Sequence, residues 1–286
     1  MIYFCADDYG LSKSVSSNIM KQVKEKRLNK VSALPNFDEV DLSEMPHGVR
    51  VALHLNLVEG KCMANAEDVS LLADKDGRFK HTFGGLFLLW LTRRHTLEAQ
   101  LYTEIKAQVI CWRSILPESL PFCVDSHQHV HMIPSVFKVL LEVLRDEKID
   151  LAYMRIPAEP LTPYIKKPSL YLTYSPVNII KLLLLDFLWL IDKGLAKGHK
   201  IPTALFFGIL FSGKMDGDRV NKVLPEFVAL AKKRGCDIEV LFHPGYVDEE
   251  IDFKKRNIAF ERFYLSPHRK TEFNSLNKIS ERSVQK

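Results

Sequence analysis

Short apolar runs and helix-spaced apolar patterns take turns along this chain, and that alternation restricts the fold more than any other feature. Ile2–Ala6, Val31–Leu34, Val51–Leu57, Leu151–Ile156 and Ile238–Phe242 read as strands, as does the short run before Asp125. Between them lie helical patterns: Val15, Ile19, Met20 and Val23 behind a capping Ser12 or Ser14; Leu101, Ile105 and Val109 within 97–114; Val136, Val139, Leu140, Val143 and Leu144 within 135–146; and a helix over 220–233. Strands that alternate with helices build a parallel sheet covered by helices, either a barrel or an open sheet. With no repeat, no low-complexity linker and no boundary in sight, 286 residues are expected to form a single domain.

Residue types that bind metals share one address in this pattern. Asp7-Asp8, His54, His127, Arg155 and His243 each stand within or just after an apolar run. In a barrel of parallel strands the C-terminal strand ends form the site, and several strands each contribute a residue. Asp125-Ser126-His127-Gln128-His129-Val130-His131 is the densest cluster. On an extended backbone, two-residue spacing would put its three imidazoles on one side.

One carboxylate and two imidazoles, Asp8, His54 and His127, make a three-ligand shell with open positions, the catalytic rather than the structural arrangement. A divalent cation held there lowers the pKa of its water to about 7 and polarises a carbonyl oxygen. Asp7 is the candidate base, provided that the chain turns so that both neighbouring carboxylates face the site; Gly10 suits such a turn. His243 is the candidate acid for the leaving group of amide cleavage. Arg155 is placed to orient a carboxylate or meet substrate oxygens, Asp125 to orient an imidazole, and His129 and His131 to support the ligands or touch substrate. Each residue also has a purely structural reading. Asp7-Asp8 suits a helix N-terminus, Arg155 an ion pair, and His243 a strand end.

Composition removes several classes. Apolar content of 47% and charged content of 26% suit a globular protein. A net charge of +5, spread out apart from basic residues in the tail such as Lys254-Lys255-Arg256, is no nucleic-acid footprint. Five cysteines without a CxxC pair argue against a disulfide framework and for a reducing, cytoplasmic setting. A strand directly after Met1 leaves no room for a signal peptide. The run 179–192 is greasy but carries Lys181, Asp186 and Asp192, and so reads as an amphipathic or buried helix rather than a membrane span. With the shorter apolar run 85–91 it leaves open a peripheral membrane contact, an apolar substrate or a homodimer face.

Ala6-Asp7-Asp8-Tyr9-Gly10-Leu11-Ser12, His54-Leu55-Asn56-Leu57, Asp125 to Pro134, Arg155-Ile156-Pro157 and His243-Pro244-Gly245 resemble the YdjC-like carbohydrate deacetylase family, which includes chitooligosaccharide and hopanoid-associated deacetylase-like proteins. Order and spacing fit from residue 2 to about 247. The resemblance implies an irregular (β/α) TIM-like barrel and hydrolysis of an N-acetyl group from an amino sugar. It implies a metal, Mg²⁺ first, with Zn²⁺, Mn²⁺ or Co²⁺ also allowed by the donors. It maps the ligands onto Asp8, His54 and His127, the base onto Asp7 and the acid onto His243. The departures are Cys5, where the family often has Asn, and an apolar helical insertion around 158–213, which bears on whether the sugar is lipid-linked. Another metallohydrolase on the same scaffold, a phosphoesterase or a non-sugar amidase, and a silent sugar-binding protein are the alternatives.

Overall fold

The structure, a computed structural model, describes residues 1–247 and 263–279. The basic run at 254–256 lies outside them. Seven strands form one sheet: β1 (Ile2–Tyr9), β2 (Lys30–Ala33), β3 (Arg50–Leu55), β4 (Phe122–Ser126), β5 (Leu151–Met154), β6 (Leu205–Phe207) and β7 (Ile238–Phe242). Their order is β5-β4-β3-β2-β1-β7-β6, and every pairing is parallel. This is the cyclic order of a (β/α) barrel with one seam left open, between β5 and β6. A backbone hydrogen bond reaches towards the far edge at that seam, from the Met154 N–H to the Pro202 carbonyl, at 2.9 Å. The expected barrel is therefore a curled, incompletely closed one. Its seam lies beside β6, a strand of three residues in the span 158–213, where only an apolar insertion was expected.

The α-helices among the described residues are α1 (Lys13–Lys24), α2 (Phe83–Thr92), α3 (Arg94–Ile115), α4 (Pro134–Asp146), α5 (Thr162–Ile165), α6 (Pro176–Leu195), α7 (Gly217–Arg234) and α8 (Pro267–Ser275). Local chemistry explains their starts. The Ser12 hydroxyl accepts the Val15 N–H at 3.3 Å at the head of α1. Pro134, whose missing N–H is no loss in a first turn, opens α4. The apolar stripes Val15-Ile19-Val23 on α1 and Val136-Val139-Leu140-Val143 on α4 are buried, and α3 packs Leu101, Ile105 and Val109 inward beside α4. Each such side chain contributes about 1.5–3 kcal/mol of burial.

The helix α6 divides differently. Leu182, Leu185 and Leu188 face the core, whereas Val177, Ile180, Leu183, Phe187 and Leu190 form an exposed apolar stripe. No helix among the described residues is long and apolar enough to cross a membrane.

Candidate metal centre

At the C-terminal end of β1 the backbone leaves the strand early. Asp8 has φ +72°, the left-handed region that an L-residue seldom adopts, and the pairing of β1 with β2 slips between Ala6 and Tyr9. Neighbours on a strand point to opposite faces; the left-handed step at Asp8 cancels that alternation, so both carboxylates approach His54 Nε2 to 3.7 Å. Asp8 thus makes the turn expected of Gly10. Gly10 continues it at φ +94°, where a Cβ would sit 2.2 Å from Val40 Cγ2.

His54 on β3 pairs in register with Asp125 on β4. Their side chains meet, Nδ1 to Oδ1, at 2.6 Å. His127 follows directly after β4, and its Nδ1 lies 3.0 Å from Asp8 Oδ1. His54 Nε2 is 3.7 Å from both Asp8 Oδ1 and Asp7 Oδ2. One donor atom each from Asp8, His54 and His127 falls within a 4.8 Å cluster, and all three residues are buried.

The expected alternation of the three histidines does not occur. The strand ends at Ser126, and His127–Met132 wind into a short 3₁₀ segment with Gln128 and His129 left-handed. The rings diverge as a result. His127 faces Asp8, and His129 stands edge-on to Phe206 at the cleft wall with Nδ1 unpartnered. His131 turns into the wall, bonded to Ser126 Oγ and, through Nε2, to the Arg155 carbonyl at 2.8 Å. Burial pushes His129 well below the usual imidazole range and His131 down to about 4, so both rings are neutral.

Beneath the cluster lies a buried charge layer. Arg155 grips Asp7 with two bonds, Nη1 to Oδ2 at 2.7 Å and Nη2 to Oδ1 at 2.8 Å, and reaches Glu239 through Nε at 2.6 Å. Lys30 joins Asp125 at 2.9 Å to Glu239, while Ser32 Oγ donates to Asp125 at 2.6 Å. Burial raises the Asp7 and Asp125 pKa values, but the cations outweigh it. Arg155 keeps Asp7 low, and Arg155 with Lys30 holds Asp125 well below the carboxylate range. Burial likewise opposes ionised Asp8, and Arg269, paired with its Oδ2, prevails. His127 goes the other way. Burial lowers it, yet Asp8 and Glu59 lift it to about 9.

The donor set fits a divalent cation. Asp8 Oδ1 faces the two imidazoles, 3.0 Å from His127 Nδ1 and 3.7 Å from His54 Nε2, while Arg269 occupies the other oxygen. A carboxylate acceptor on Nδ1 of His54 leaves its Nε2 lone pair facing Asp8, the arrangement that supports metal-bound histidines. A second acidic cluster, Cys5, Asp7 and Asp125, does not fit, because Arg155 Nη2 already contacts all three at 3.2, 2.8 and 3.0 Å. Cys5 is thus a buried neighbour of the guanidinium, and burial pushes its thiol well up.

The cluster opens into a cleft of about 540 Å³ lined by Asp7, His54, His127, His129, His243 and α6 side chains. His243 is held by its backbone N–H on Glu272 Oε2 at 2.6 Å, with its ring in the cleft. Asp7, Asp8, His54, Asp125, His127 and Arg155 therefore converge, His129 and His243 border the cleft, and His131 serves as an internal fastener. Sequence reasoning missed Lys30, Glu59, Glu239, Arg269 and Tyr264, whose hydroxyl donates to Glu59 Oε2 at 2.8 Å. Glu239 carried a signal, a lone charge inside an apolar strand; Arg269 and Tyr264, in an irregular tail, carried none.

A sequence profile described as YdjC-like protein matches residues 1–283. The chain belongs to the YdjC-like family. Proteins named carbohydrate deacetylase are similar to this YdjC-like chain: one from Danio rerio at 30% identity over 158 residues, covering 54% of this chain and 49% of that protein, and one from Clostridium beijerinckii at 25% identity over 170 residues, covering 56% and 63%. The YdjC-like chain thus spans about half the length of the vertebrate relatives it matches. A solved Enterococcus faecalis V583 structure, provisionally described as a cellobiose-phosphate cleavage protein, shares the fold with TM-score 0.65 at 17% identity, covering 99% of this chain and 92% of the other.

Proposed function

We propose that this chain is a metal-dependent hydrolase that removes the N-acetyl group from an N-acetylated amino sugar. The observation that carries the reading is the convergence of Asp8, His54 and His127 with a second carboxylate, Asp7, 3.7 Å from His54 Nε2, in a YdjC-like chain. The name of its relatives supports amide cleavage on a sugar.

Asp8, His54 and His127 would hold the ion; when bound, it supplies Lewis acidity and a water acidified to a pKa of about 7. Asp7 is the base. Its two bonds to Arg155 keep it ionised and fix its aim, so it accepts a proton without first losing one. His243, across the cleft, protonates the departing amine. Asp125 holds the His54 ring in the tautomer that presents Nε2. Two imidazoles with a carboxylate suit Zn²⁺, Co²⁺ or Mn²⁺ as well as Mg²⁺.

Acetate release from N-acetylglucosamine oligomers and from lipid-linked N-acetylhexosamines, with each metal and with chelator, tests the reading. Release that stops with chelator and is lost in Asp8→Asn is expected. Full activity in Asp8→Asn, chelator-independent release, or sugar binding without turnover would overturn it.

A further inference from the structure

Exposed apolar side chains crowd into one part of this chain. Of the fifteen large ones among the described residues, twelve lie at 88–91 or 161–190. Two helices carry most of them. Seven of the ten residues of α2 are large and apolar, yet Leu86 is the one it fully buries. Leu88 and Leu91 stand 59% and 60% exposed. A helix apolar on every side belongs inside a protein or in contact with lipid. On α6 the stripe Val177, Ile180, Leu183, Phe187 and Leu190 looks outward, each side chain more than half exposed.

Both helices reach the same cleft. Thr82 and Phe83 at the head of α2, and Val177 and Ile180 near the head of α6, line the cavity that contains Asp7, His54 and His127. The apolar face therefore runs to the rim of the cleft. Single exposed leucines need no explanation, but a concentration of this extent beside a cleft is where another surface sits.

Charge says which surface. Arg93, Arg94 and His95 follow α2, Lys193, Lys197 and Lys200 lie at the end of α6, and all six are exposed. Residues 80–97 contain no carboxylate. Residues 160–215 contain two, Asp186 and Asp192, against seven lysines, and neither carboxylate is exposed. A second copy would bring the same patch to a two-fold contact. Cations would then face cations, with no exposed carboxylate in either segment to receive them. An anionic bilayer supplies both complements, acyl chains for the leucines and headgroup charge for the rim. Trp90, half-buried beside Phe87 with ring centroids 5.3 Å apart, is a residue type that favours the headgroup level. With no described helix able to span a membrane, contact of this kind is shallow.

We propose that α2 and α6 form a peripheral docking face for an anionic lipid bilayer, which sets the mouth of the cleft against the membrane surface. Docking of this kind is independent of the deacetylase reading, because binding measures it whether or not the chain releases acetate.

The test floats the whole chain with vesicles of phosphatidylcholine alone and of phosphatidylcholine with one-third phosphatidylglycerol. Binding at least tenfold tighter to the anionic vesicles is expected, and it should weaken as salt rises from about 0.1 to about 1 M. Leu88→Ser with Leu91→Ser, and separately Phe187→Ser with Leu190→Ser, should each reduce it at least tenfold. Lys193→Gln and Lys197→Gln should each cost about fivefold on anionic vesicles and nothing on neutral ones. Circular dichroism melts check that the variants fold. No binding to either vesicle, equal binding to both, or binding that the leucine and phenylalanine substitutions leave unchanged would overturn the proposal. So would a dimer in light scattering that the same substitutions dissolve, which would assign the face to a second copy. If a paired variant does not fold, the wild-type preference and the two lysine variants decide.

Discussion

Asp125 Oδ1 lies 2.6 Å from His54 Nδ1, and because an ionised carboxylate can only accept, that ring must carry its proton on Nδ1. The lone pair on Nε2 is thereby turned towards Asp8. Parallel register sets this up: His54 and Asp125 are partners on adjacent strands, so one side chain orients the other without any loop having to close.

Asp125→Asn keeps the shape but presents an amide that can donate, and the tautomer preference is lost. Zn²⁺ or Co²⁺ affinity should fall 10- to 100-fold, the usual effect of removing such a support. Titration calorimetry, with the Co²⁺ absorption spectrum as a check on geometry, measures this. Unaltered affinity would show that His54 is oriented by packing alone.

Asp7→Asn should separate metal binding from chemistry. Asp7 is the proposed base, so kcat should drop by about 10²–10⁴ while one metal equivalent still binds. Steady-state kinetics beside metal titration reads both. Loss of metal stoichiometry would make Asp7 a ligand instead.

Arg269 is the cation on Asp8 Oδ2, and both side chains are buried. Arg269→Met strands that carboxylate, which should cost about 3–5 kcal/mol in metal-free protein. Urea unfolding with chelator measures the loss, and added metal should recover more stability in the variant than in wild type. Equal metal effects would argue against Asp8 as a ligand.

Asp192 on α6 is buried, and neither carboxyl oxygen has a hydrogen-bond partner among the described residues. Burial pushes its pKa up to about 8 from 3.8. Between those values the folded chain keeps a proton that the unfolded chain has released. Stability from this group is thus fully present below about pH 4 and is lost as pH rises towards 8, with a slope near 1.4 kcal/mol per unit at most. Asp192→Asn should flatten this part of the stability profile relative to wild type, as read by denaturant melts from pH 4 to 9. Parallel profiles would refute the assignment.

Much of this was legible beforehand because strand ends announce themselves. Apolar runs that stop at Asp7-Asp8, His54 and His127 are local facts, and barrel geometry gathers such ends. Local reasoning failed where the backbone left its regular path. The turn wanted at Asp7-Asp8 begins on Asp8 itself rather than on Gly10, and the 3₁₀ turn after Ser126 depends on left-handed residues that are not glycine. As a consequence His131 turns into the wall, where it bonds Ser126 and the Arg155 carbonyl. Lys30, Glu239 and Arg269 escaped notice because their partners stand far away in the chain, on other strands or in the tail.

Residue order alone settled that strands and helices alternate, that the sheet is parallel, and which side chains are of a type able to ligate a metal, because periodicity and donor type are properties of neighbouring residues. The folded chain decided the rest: that the barrel stays open between β5 and β6, that Arg155 neutralises the cluster of Cys5, Asp7 and Asp125, and that Asp8, His54 and His127 come together. Those outcomes depend on distances between segments as many as 261 residues apart, as for Asp8 and Arg269, and only packing sets such distances.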